Sequence, residues 1–227
     1  MLLILFDIDG TLLWSGGAGV RALEVAFEEL FAIPRAMQGV RCDGMTDPAI
    51  ARAVLSPRGL ASEGNILRIL DRYADCLERS LESGSGFRLL PGVWALLSHL
   101  EGRPDVRCGL ATGNLERGAV AKLRRGGLER FFSFGGYGSD AEDRAELVRT
   151  GIARGRKLAG RIEAAALVIG DTPRDVLAAQ SAGARAAGVA SGHYTLEELR
   201  RAGAEVVVSS LEPPWDWLEQ IIRASSR

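Results

Sequence analysis

Two carboxylates follow the first apolar run of the chain. The sequence opens MLLILFDIDGT, in which Asp7 and Asp9 come after six apolar residues and Gly10 comes directly behind them. A short apolar run that ends in a turn signal is typical of a buried strand in a parallel sheet. Asp7, fixed by the strand end, is the candidate nucleophile in a phosphoryl transfer, and Asp9 is the candidate general acid and base.

Three other stretches carry polar groups in similar surroundings. They are LATGN at 110–114, SDAEDRAEL at 139–147 and VIGDTPRDV at 168–176. Loops that follow parallel strands emerge at one edge of the sheet, where ligands bind. We therefore expect these stretches and the Asp7 loop to converge.

Convergence would bring together Asp7, Asp9, Asp171 and Asp175. Carboxylates in one site cannot all stay ionised without a cation. Mg²⁺ prefers oxygen ligands and keeps waters and substrate phosphate among them, so the sequence predicts Mg²⁺, with Asp171 as a ligand. Zinc is disfavoured because neither histidine of the chain lies in these stretches.

A candidate phosphate-binding loop follows the apolar run that ends at residue 111. Thr112 offers a hydroxyl, and Gly113 and Asn114 offer backbone N–H groups at the start of a predicted helix. Such a combination is suited to holding an anion.

The elements that must position these residues alternate between short apolar strands and amphipathic helices after residue 90. This alternation predicts an α/β fold with a doubly wound, Rossmann-like parallel sheet covered on both faces. Strands are predicted at 106–111, 131–134, 165–169, 185–189 and 206–208, and helices are predicted to begin near residues 93, 115, 141, 174 and 195.

Residues 15–88 break this alternation, because they contain helical patterns and no clear strand. Apolar residues form one stripe within 20–31 and a second within 66–81. Two such helices can bury their faces against each other, which predicts a helical cap domain inserted between core segments 1–14 and 89–227. Glycines flank the insertion on both sides, as a hinge would require.

The composition excludes several classes of partner. Lys and Arg number 28 against 29 Asp and Glu, so no net field attracts nucleic acid or an anionic membrane. No apolar stretch approaches the roughly 20 residues that cross a bilayer. Cys42, Cys76 and Cys108 form no Cys-x-x-Cys pair, which favours free thiols in a reducing cytoplasm. The expected partner is a small phosphorylated metabolite.

Together these motifs resemble the haloacid dehalogenase-like hydrolase superfamily, and within it the phosphoglycolate-phosphatase-like members with a helical cap of the C1 type. DIDGT at 7–11 is similar to the first motif of that family, Thr112 in LATGN to the second, and GDTPRD at 170–175 to the fourth. The resemblance extends over nearly the whole chain. It implies a Mg²⁺-dependent phosphatase that hydrolyses a small phosphate monoester.

The same resemblance implies roles for individual residues. Asp7 would form an aspartyl-phosphate, while Asp9 would protonate the leaving oxygen and then activate water. Asp7, the Asp9 carbonyl and Asp171 would hold the metal, and Thr112 and the backbone at Asn114 would bind the phosphate.

The third motif departs from the family pattern, which usually has a lysine there. The chain has two lysines, Lys122 and Lys157. Both are expected to lie too far from the site, because a helix between parallel strands leads away from the active edge by about 1.5 Å per residue. Arg144 lies at a predicted helix start, and a guanidinium can hold phosphate and carboxylate together. We therefore expect Arg144 to replace the lysine, with Asp175 as its partner.

The polar stretch RCDGMTDPAI at 41–50 lies where members of that family present a specificity loop. Asp43, Thr46 and Asp47 are candidates for contact with the leaving group of the substrate. Helix capping by Thr46 or Asp47 is an equal alternative. Acidic residues here disfavour a second carboxylate on the substrate, and hence phosphoglycolate.

The same residues are compatible with two other functions and argue against three more. A sugar phosphomutase would retain both Asp7 and Asp9, and a protein that binds a phosphorylated ligand without turnover would retain the fold. Dehalogenation does not need Asp9, and phosphonate cleavage would call for a cap lysine. GAGVRA at 17–22 matches a loose dinucleotide-binding pattern, but no clean strand precedes it.

Overall fold

The computed structural model describes residues 1–225 of the chain. Its elements, in chain order, are β1 (Leu2–Phe6), β2 (Leu13–Ser15), α1 (Ala18–Phe31), α2 (Asp47–Leu55), α3 (Glu63–Ser83), β3 (Phe87–Leu89), α4 (Val93–Leu100), β4 (Val106–Thr112), α5 (Glu116–Arg125), β5 (Gly135–Tyr137), α6 (Arg144–Ala159), β6 (Ala165–Gly170), α7 (Pro173–Ser181), β7 (Arg185–Val189), α8 (Leu196–Arg201), β8 (Val206–Val208) and α9 (Asp216–Ala224).

Six strands form one parallel sheet in the order β5-β4-β1-β6-β7-β8. Strand β1 pairs with β4 on one side and with β6 on the other. The chain therefore builds the sheet outward in both directions from β1, and the carboxyl ends of β1, β4 and β6 meet at the point where the strand order reverses. The predicted doubly wound α/β fold is confirmed.

Strand β1 is buried on both faces, as its unbroken apolar sequence indicates. Leu2, Ile4 and Phe6 belong to the apolar cluster on one face of the sheet, and Leu3 and Leu5 belong to the cluster on the other. All five side chains are fully buried. This burial on both sides fixes the place at which the strand ends.

The segment between β2 and β3 folds as three helices with an apolar cluster of its own. Phe27 of α1, Leu55 of α2 and Leu77 of α3 are among the fully buried members of that cluster. Strands β2 and β3 pair antiparallel where the chain enters and leaves this segment. The apolar pattern did not predict this pairing, because three-residue strands are too short to show a period of two.

The two stretches of backbone that enter and leave the helical segment pass close to each other. Gly16 has φ +62°, and a Cβ there would lie 2.3 Å from the Ser85 carbonyl oxygen. Only glycine fits this backbone conformation and this approach.

The predicted strand at 131–134 is wrong. Residues Glu129–Phe131 form a 3₁₀ turn, and the edge strand β5 begins at Gly135. A Cβ at Gly136 would lie 1.8 Å from the Leu147 carbonyl oxygen, so glycine is needed where α6 packs against this strand. Tertiary packing has therefore overridden the low strand propensity of glycine.

Two further features complete the fold. Within residues 1–225, no helix combines the length and the apolar character that would let it cross a membrane. The three cysteines are free thiols.

Candidate active site

Three buried carboxylates meet at the carboxyl edge of the sheet. Asp7 follows β1 and donates its backbone N–H to the Ile169 carbonyl at 2.9 Å. Asp171 follows β6, and Asp175 lies in the first turn of α7. The three side chains are 2–5% exposed, and one oxygen of each lies within 4.8 Å of the others.

Asp171 is enclosed by the backbone of two loops. Thr11 donates its hydroxyl to Asp171 Oδ1 at 3.0 Å. A Cβ at Gly10 would lie 2.3 Å from Asp171 Oδ2, and a Cβ at Gly192 would lie 1.9 Å from the same atom. The carboxylate can occupy this position because both neighbours are glycine.

Burial makes the Asp7 and Asp171 carboxyl groups hard to ionise. It raises the pKa of Asp7 to about 7, an effect that Arg144 opposes and Asp175 reinforces. It raises the pKa of Asp171 to about 9, with further contributions from the Asp175 and Asp7 charges. A bound cation would remove this penalty.

The donor set fits Mg²⁺. Its atoms are hard carboxylate oxygens from Asp7 and Asp171, with the Asp9 carbonyl in the adjoining loop, and Mg²⁺ prefers oxygen ligands. Asp175 is already engaged, because its Oδ2 accepts from the N–H and hydroxyl of Thr172 at 3.0 and 2.7 Å. Its Oδ1 accepts from Arg144, so Asp175 positions the arginine instead of offering a free ligand.

Arg144, the first residue of α6, lies at the centre of the buried carboxylates. Its Nε and Nη2 donate to Asp175 Oδ1 at 2.9 and 2.5 Å, and Nη2 lies 3.2 Å from Asp7 Oδ1. Nη1 donates to the Gly44 carbonyl of the helical segment at 3.2 Å. These charges raise the pKa of Arg144 above its usual range against the opposing effect of burial. The guanidinium therefore remains charged and joins the candidate nucleophile to the helical segment between β2 and β3.

The loop after β4 provides the expected polar groups. The Thr112 hydroxyl accepts from the Asn114 backbone N–H at 3.3 Å and from Asn114 Nδ2 at 2.8 Å. A Cβ at Gly113 would lie 2.2 Å from the Met45 carbonyl oxygen and 2.9 Å from Arg144 Nη1. Glycine at 113 thus allows both Met45 and Arg144 to lie against this turn.

The expectation that Lys122 lies away from the site is wrong. Its Nζ donates to Asp9 Oδ2 at 2.5 Å and to Asn114 Oδ1 at 2.6 Å. Lys122 is the seventh residue of α5, about 9 Å along the helix axis from its start. Helical side chains point toward the helix N-terminus, and the long lysine chain covers this distance. The only sequence signal was that the chain has just two lysines.

Thr46 of the predicted specificity loop is a helix-capping residue. Its hydroxyl caps α2 by accepting from the Ala49 N–H, and it donates to the Glu142 carbonyl at 2.9 Å. It does not line the cavity next to Asp9. The capping alternative is therefore the one that the structure shows for Thr46.

Asp43 and Asp47 lie at the cavity. Asp43 Oδ1 lies 2.8 Å from His193 Nδ1, and the His193 ring is 5.4 Å from that of Trp14. Asp47 Oδ2 accepts from the Leu115 N–H at 2.8 Å. The helical segment thus contacts His193 and Leu115 through the same two residues that face the cavity.

The cavity has a volume of about 250 Å³ and extends from Asp7 and Asp9 to the helical segment. Sequence patterns assigned no role in the site to three of its lining residues, Trp14, Tyr73 and His193. Tyr73 falls in the apolar stripe of α3, so the stripe alone marked it as a packing residue.

The sequence is similar to a known protein family and to two known proteins. The family model described as haloacid dehalogenase-like hydrolase matches residues 4–189. The probable phosphatase IndB of Dickeya dadantii is 28% identical over 235 residues, which cover 99% of this chain and 96% of IndB. The phosphoglycolate phosphatase of Caulobacter vibrioides is 30% identical over 220 residues, which cover 91% of this chain and 86% of that protein.

The fold is also similar to that of a solved structure. A hydrolase from Pseudomonas syringae has a TM-score of 0.73 at 26% identity, and the match covers 97% of this chain and 99% of that one. The match to the family model extends over most of the chain and includes the strand ends that carry Asp7, Thr112 and Asp171. The chain therefore belongs to the haloacid dehalogenase-like hydrolase family.

Proposed function

We propose that this protein is a Mg²⁺-dependent phosphatase that hydrolyses a small phosphate monoester through a phosphoaspartyl intermediate on Asp7. The observation that carries the proposal is the different surroundings of two neighbouring carboxylates. Asp7 is buried, and its Oδ1 lies 3.2 Å from Arg144 Nη2. The Asp9 side chain, by contrast, is 37% exposed, lines the cavity and forms an ion pair with Lys122. One carboxylate is thus fixed for attack, and the other remains open for proton transfer.

In the first step, an Asp7 carboxylate oxygen attacks phosphorus, and the bond between phosphorus and the leaving oxygen breaks. Asp9 gives its proton to that oxygen, and the alcohol departs. In the second step, Asp9 takes a proton from water as the water attacks phosphorus. The bond between phosphorus and Asp7 then breaks, which restores Asp7 and releases inorganic phosphate.

The remaining residues bind and orient the phosphate. The N–H groups of the turn at Gly113 and Asn114 and the Thr112 hydroxyl are the candidate donors to its oxygens. Asp7, Asp171 and the Asp9 carbonyl would hold Mg²⁺, which would supply positive charge to offset that of the phosphate and keep both carboxylates ionised. Residues 15–88 would act as a cap that excludes water from this site.

A phosphate-release assay tests the proposal. Purified protein with Mg²⁺ is expected to release inorganic phosphate from p-nitrophenyl phosphate, and EDTA is expected to abolish the release. Asp7→Asn and Asp9→Asn are expected to abolish turnover, while Asp7→Asn keeps its fold. No phosphate release by the wild-type protein would instead favour a protein that binds phosphorylated ligands without turnover.

A further inference from the structure

The cavity beyond Asp9 contains a polar side chain that has no partner in the protein. Tyr73 of α3 is 1% exposed and lines the cavity, yet its hydroxyl makes no hydrogen bond with any residue of the described chain. Within residues 1–225, Ser80 Oγ is the only side-chain oxygen or nitrogen that is both fully buried and without a partner. The Tyr73 oxygen also has no partner but does not belong to that class, so it is not fully buried and is open to the cavity.

The Tyr73 hydroxyl stays a neutral phenol. Burial raises its pKa well above the usual range, and the nearby charges of Asp47 and Asp9 add to this effect. A neutral phenol both donates and accepts hydrogen bonds. Because this hydroxyl opens on the cavity and has no partner in the described chain, it is available to pair with a bound ligand.

Asp47 presents a second open group to the same cavity. It is 6% exposed, and its Oδ2 is occupied by the Leu115 N–H. Oδ1 accepts no hydrogen bond from any described residue. Burial raises the pKa of Asp47 to about 6, while the Lys122 charge opposes the rise. Asp47 is therefore an ionised acceptor above pH 7.

The helical segment contributes negative charge to the cavity wall. Among the described residues, the cap supplies two carboxylates to the lining, Asp43 and Asp47, and no lysine or arginine. Of the core cations, Lys122 is bound to Asp9 and Asn114, and Arg144 is bound to Asp175. A carboxylate or second phosphate on the leaving group would thus face negative charge without a free cation.

We propose that Tyr73 and Asp47 form the binding subsite for the leaving group, and that this group is a small uncharged alcohol carrying a further hydroxyl. That hydroxyl would donate to Asp47 Oδ1 and accept from the Tyr73 O–H. The apolar side chains of Leu23 and Ile50, which line the same cavity, would contact its carbon atoms. The inference rests on the proposed phosphatase function, and it differs from the substrate named for the Caulobacter vibrioides relative.

A matched pair of compounds tests the charge preference. 2-Hydroxyethyl phosphate and phosphoglycolate have the same length and differ at the far end, which is a hydroxymethyl group in one and a carboxylate in the other. At pH 8 with Mg²⁺, we expect kcat/KM for 2-hydroxyethyl phosphate to exceed that for phosphoglycolate at least about tenfold, the scale of a lost or repelled polar contact. An equal or larger value for phosphoglycolate would overturn the proposal.

Two substitutions test the assigned residues. Asp47→Asn keeps an acceptor for Leu115 but removes the charge, so the ratio of the two kcat/KM values should fall about fivefold or more. Tyr73→Phe should raise KM for 2-hydroxyethyl phosphate while the melting temperature stays equal or rises, because the hydroxyl has no protein partner to lose. Asp71→Asn and Tyr194→Phe, which lie outside the cavity lining, are the matched controls. Unchanged ratios in both cavity variants would refute the assignment.

A binding measurement separates this inference from the proposed function. Asp7→Asn protein is titrated calorimetrically with the same two compounds in the presence of Mg²⁺. Tighter binding of 2-hydroxyethyl phosphate supports the subsite even if no compound releases phosphate from the wild-type protein, a result that would refute the phosphatase alone. Tighter binding of phosphoglycolate would refute the subsite alone.

Discussion

Lys122 Nζ lies 2.5 Å from Asp9 Oδ2, and the lysine side chain of this ion pair is 4% exposed, whereas that of Asp9 is 37% exposed. Asn114 Nδ2 donates to the same oxygen at 2.8 Å, and Lys122 also donates to Asn114 Oδ1. Three side chains thus form a closed set of hydrogen bonds. Two donors on one oxygen hold the Asp9 carboxylate in a single orientation and leave Oδ1 available to a substrate.

The first prediction concerns this orientation. Lys122→Met should lower kcat/KM for an alkyl phosphate about 10²-fold, the lower end of the usual contribution of general acid catalysis. The loss should be several-fold smaller for p-nitrophenyl phosphate, because a nitrophenolate leaves without full protonation. Steady-state kinetics on both substrates measure the difference.

Lys157→Met is the matched control, because Lys157 is exposed near the end of α6 and is the only other lysine of the chain. It should leave both values unchanged. Equal losses for the two substrates in Lys122→Met would argue that Lys122 acts on folding or on phosphate binding instead of on Asp9.

The second prediction concerns the buried arginine. Arg144→Ala leaves Asp7 and Asp175 without their common cation, and breaking a buried ion pair costs about 3–5 kcal/mol. We expect a lower free energy of unfolding in urea and a kcat reduced about 10²-fold or more, the scale of losing an electrostatic contact to the reacting group. Arg144→Lys should restore part of the stability, but a lysine cannot reproduce the contact of one guanidinium with both Asp7 and Asp175.

Arg149→Ala, on the exposed side of the same helix, should change the free energy of unfolding by less than about 1 kcal/mol. Turnover by Arg144→Ala within about twofold of the wild-type value would show that Arg144 has no part in the reaction.

The third prediction concerns stability without metal. The pKa of Asp171 is raised to about 9 in the folded protein, whereas an unfolded aspartate ionises near pH 3.9. The folded state therefore holds a proton that the unfolded state releases, so stability falls as pH rises from about 4 to 9. In EDTA at pH 8, Asp171→Asn should melt several degrees above wild type, at about 2–4 °C per kcal/mol for a chain of this size.

The same variant should lose the rise in melting temperature that Mg²⁺ gives to the wild type. At pH 5, where wild-type Asp171 is protonated, the two proteins should melt closer together. If the variant melts below wild type in EDTA at pH 8, ionisation of Asp171 does not destabilise the folded protein, and the prediction is contradicted.

The fourth prediction concerns proton release. Mg²⁺ binds ionised carboxylates, while the pKa of Asp7 is raised to about 7 and that of Asp171 to about 9. Metal binding should thus release protons, and the apparent affinity for Mg²⁺ should increase between pH 6 and pH 9. Calorimetry at pH 7 in two buffers of different ionisation enthalpy counts the released protons. An affinity independent of pH over this range would exclude these carboxylates as ligands.

The sequence by itself determined the scaffold of the site. An unbroken apolar run predicts a strand buried on both faces, and parallel strands end at one edge of the sheet, so sequence patterns alone place Asp7, Thr112 and Asp171 together. The helix start that carries Arg144 follows from the same rule. These inferences depend only on local patterns and on the geometry of the parallel sheet.

Only the tertiary structure decided which side chains reach across that edge. Distance along the helix predicts that Lys122 lies away from the site, yet the direction of its side chain brings it to Asp9. Tyr73 falls in an apolar stripe, and its open hydroxyl depends on how the helical segment lies against the parallel sheet. The contact of Asp47 with Leu115 depends on the same docking. Such contacts join residues far apart in the chain, and local periodicity has no information about them because it records only which face of an element is apolar.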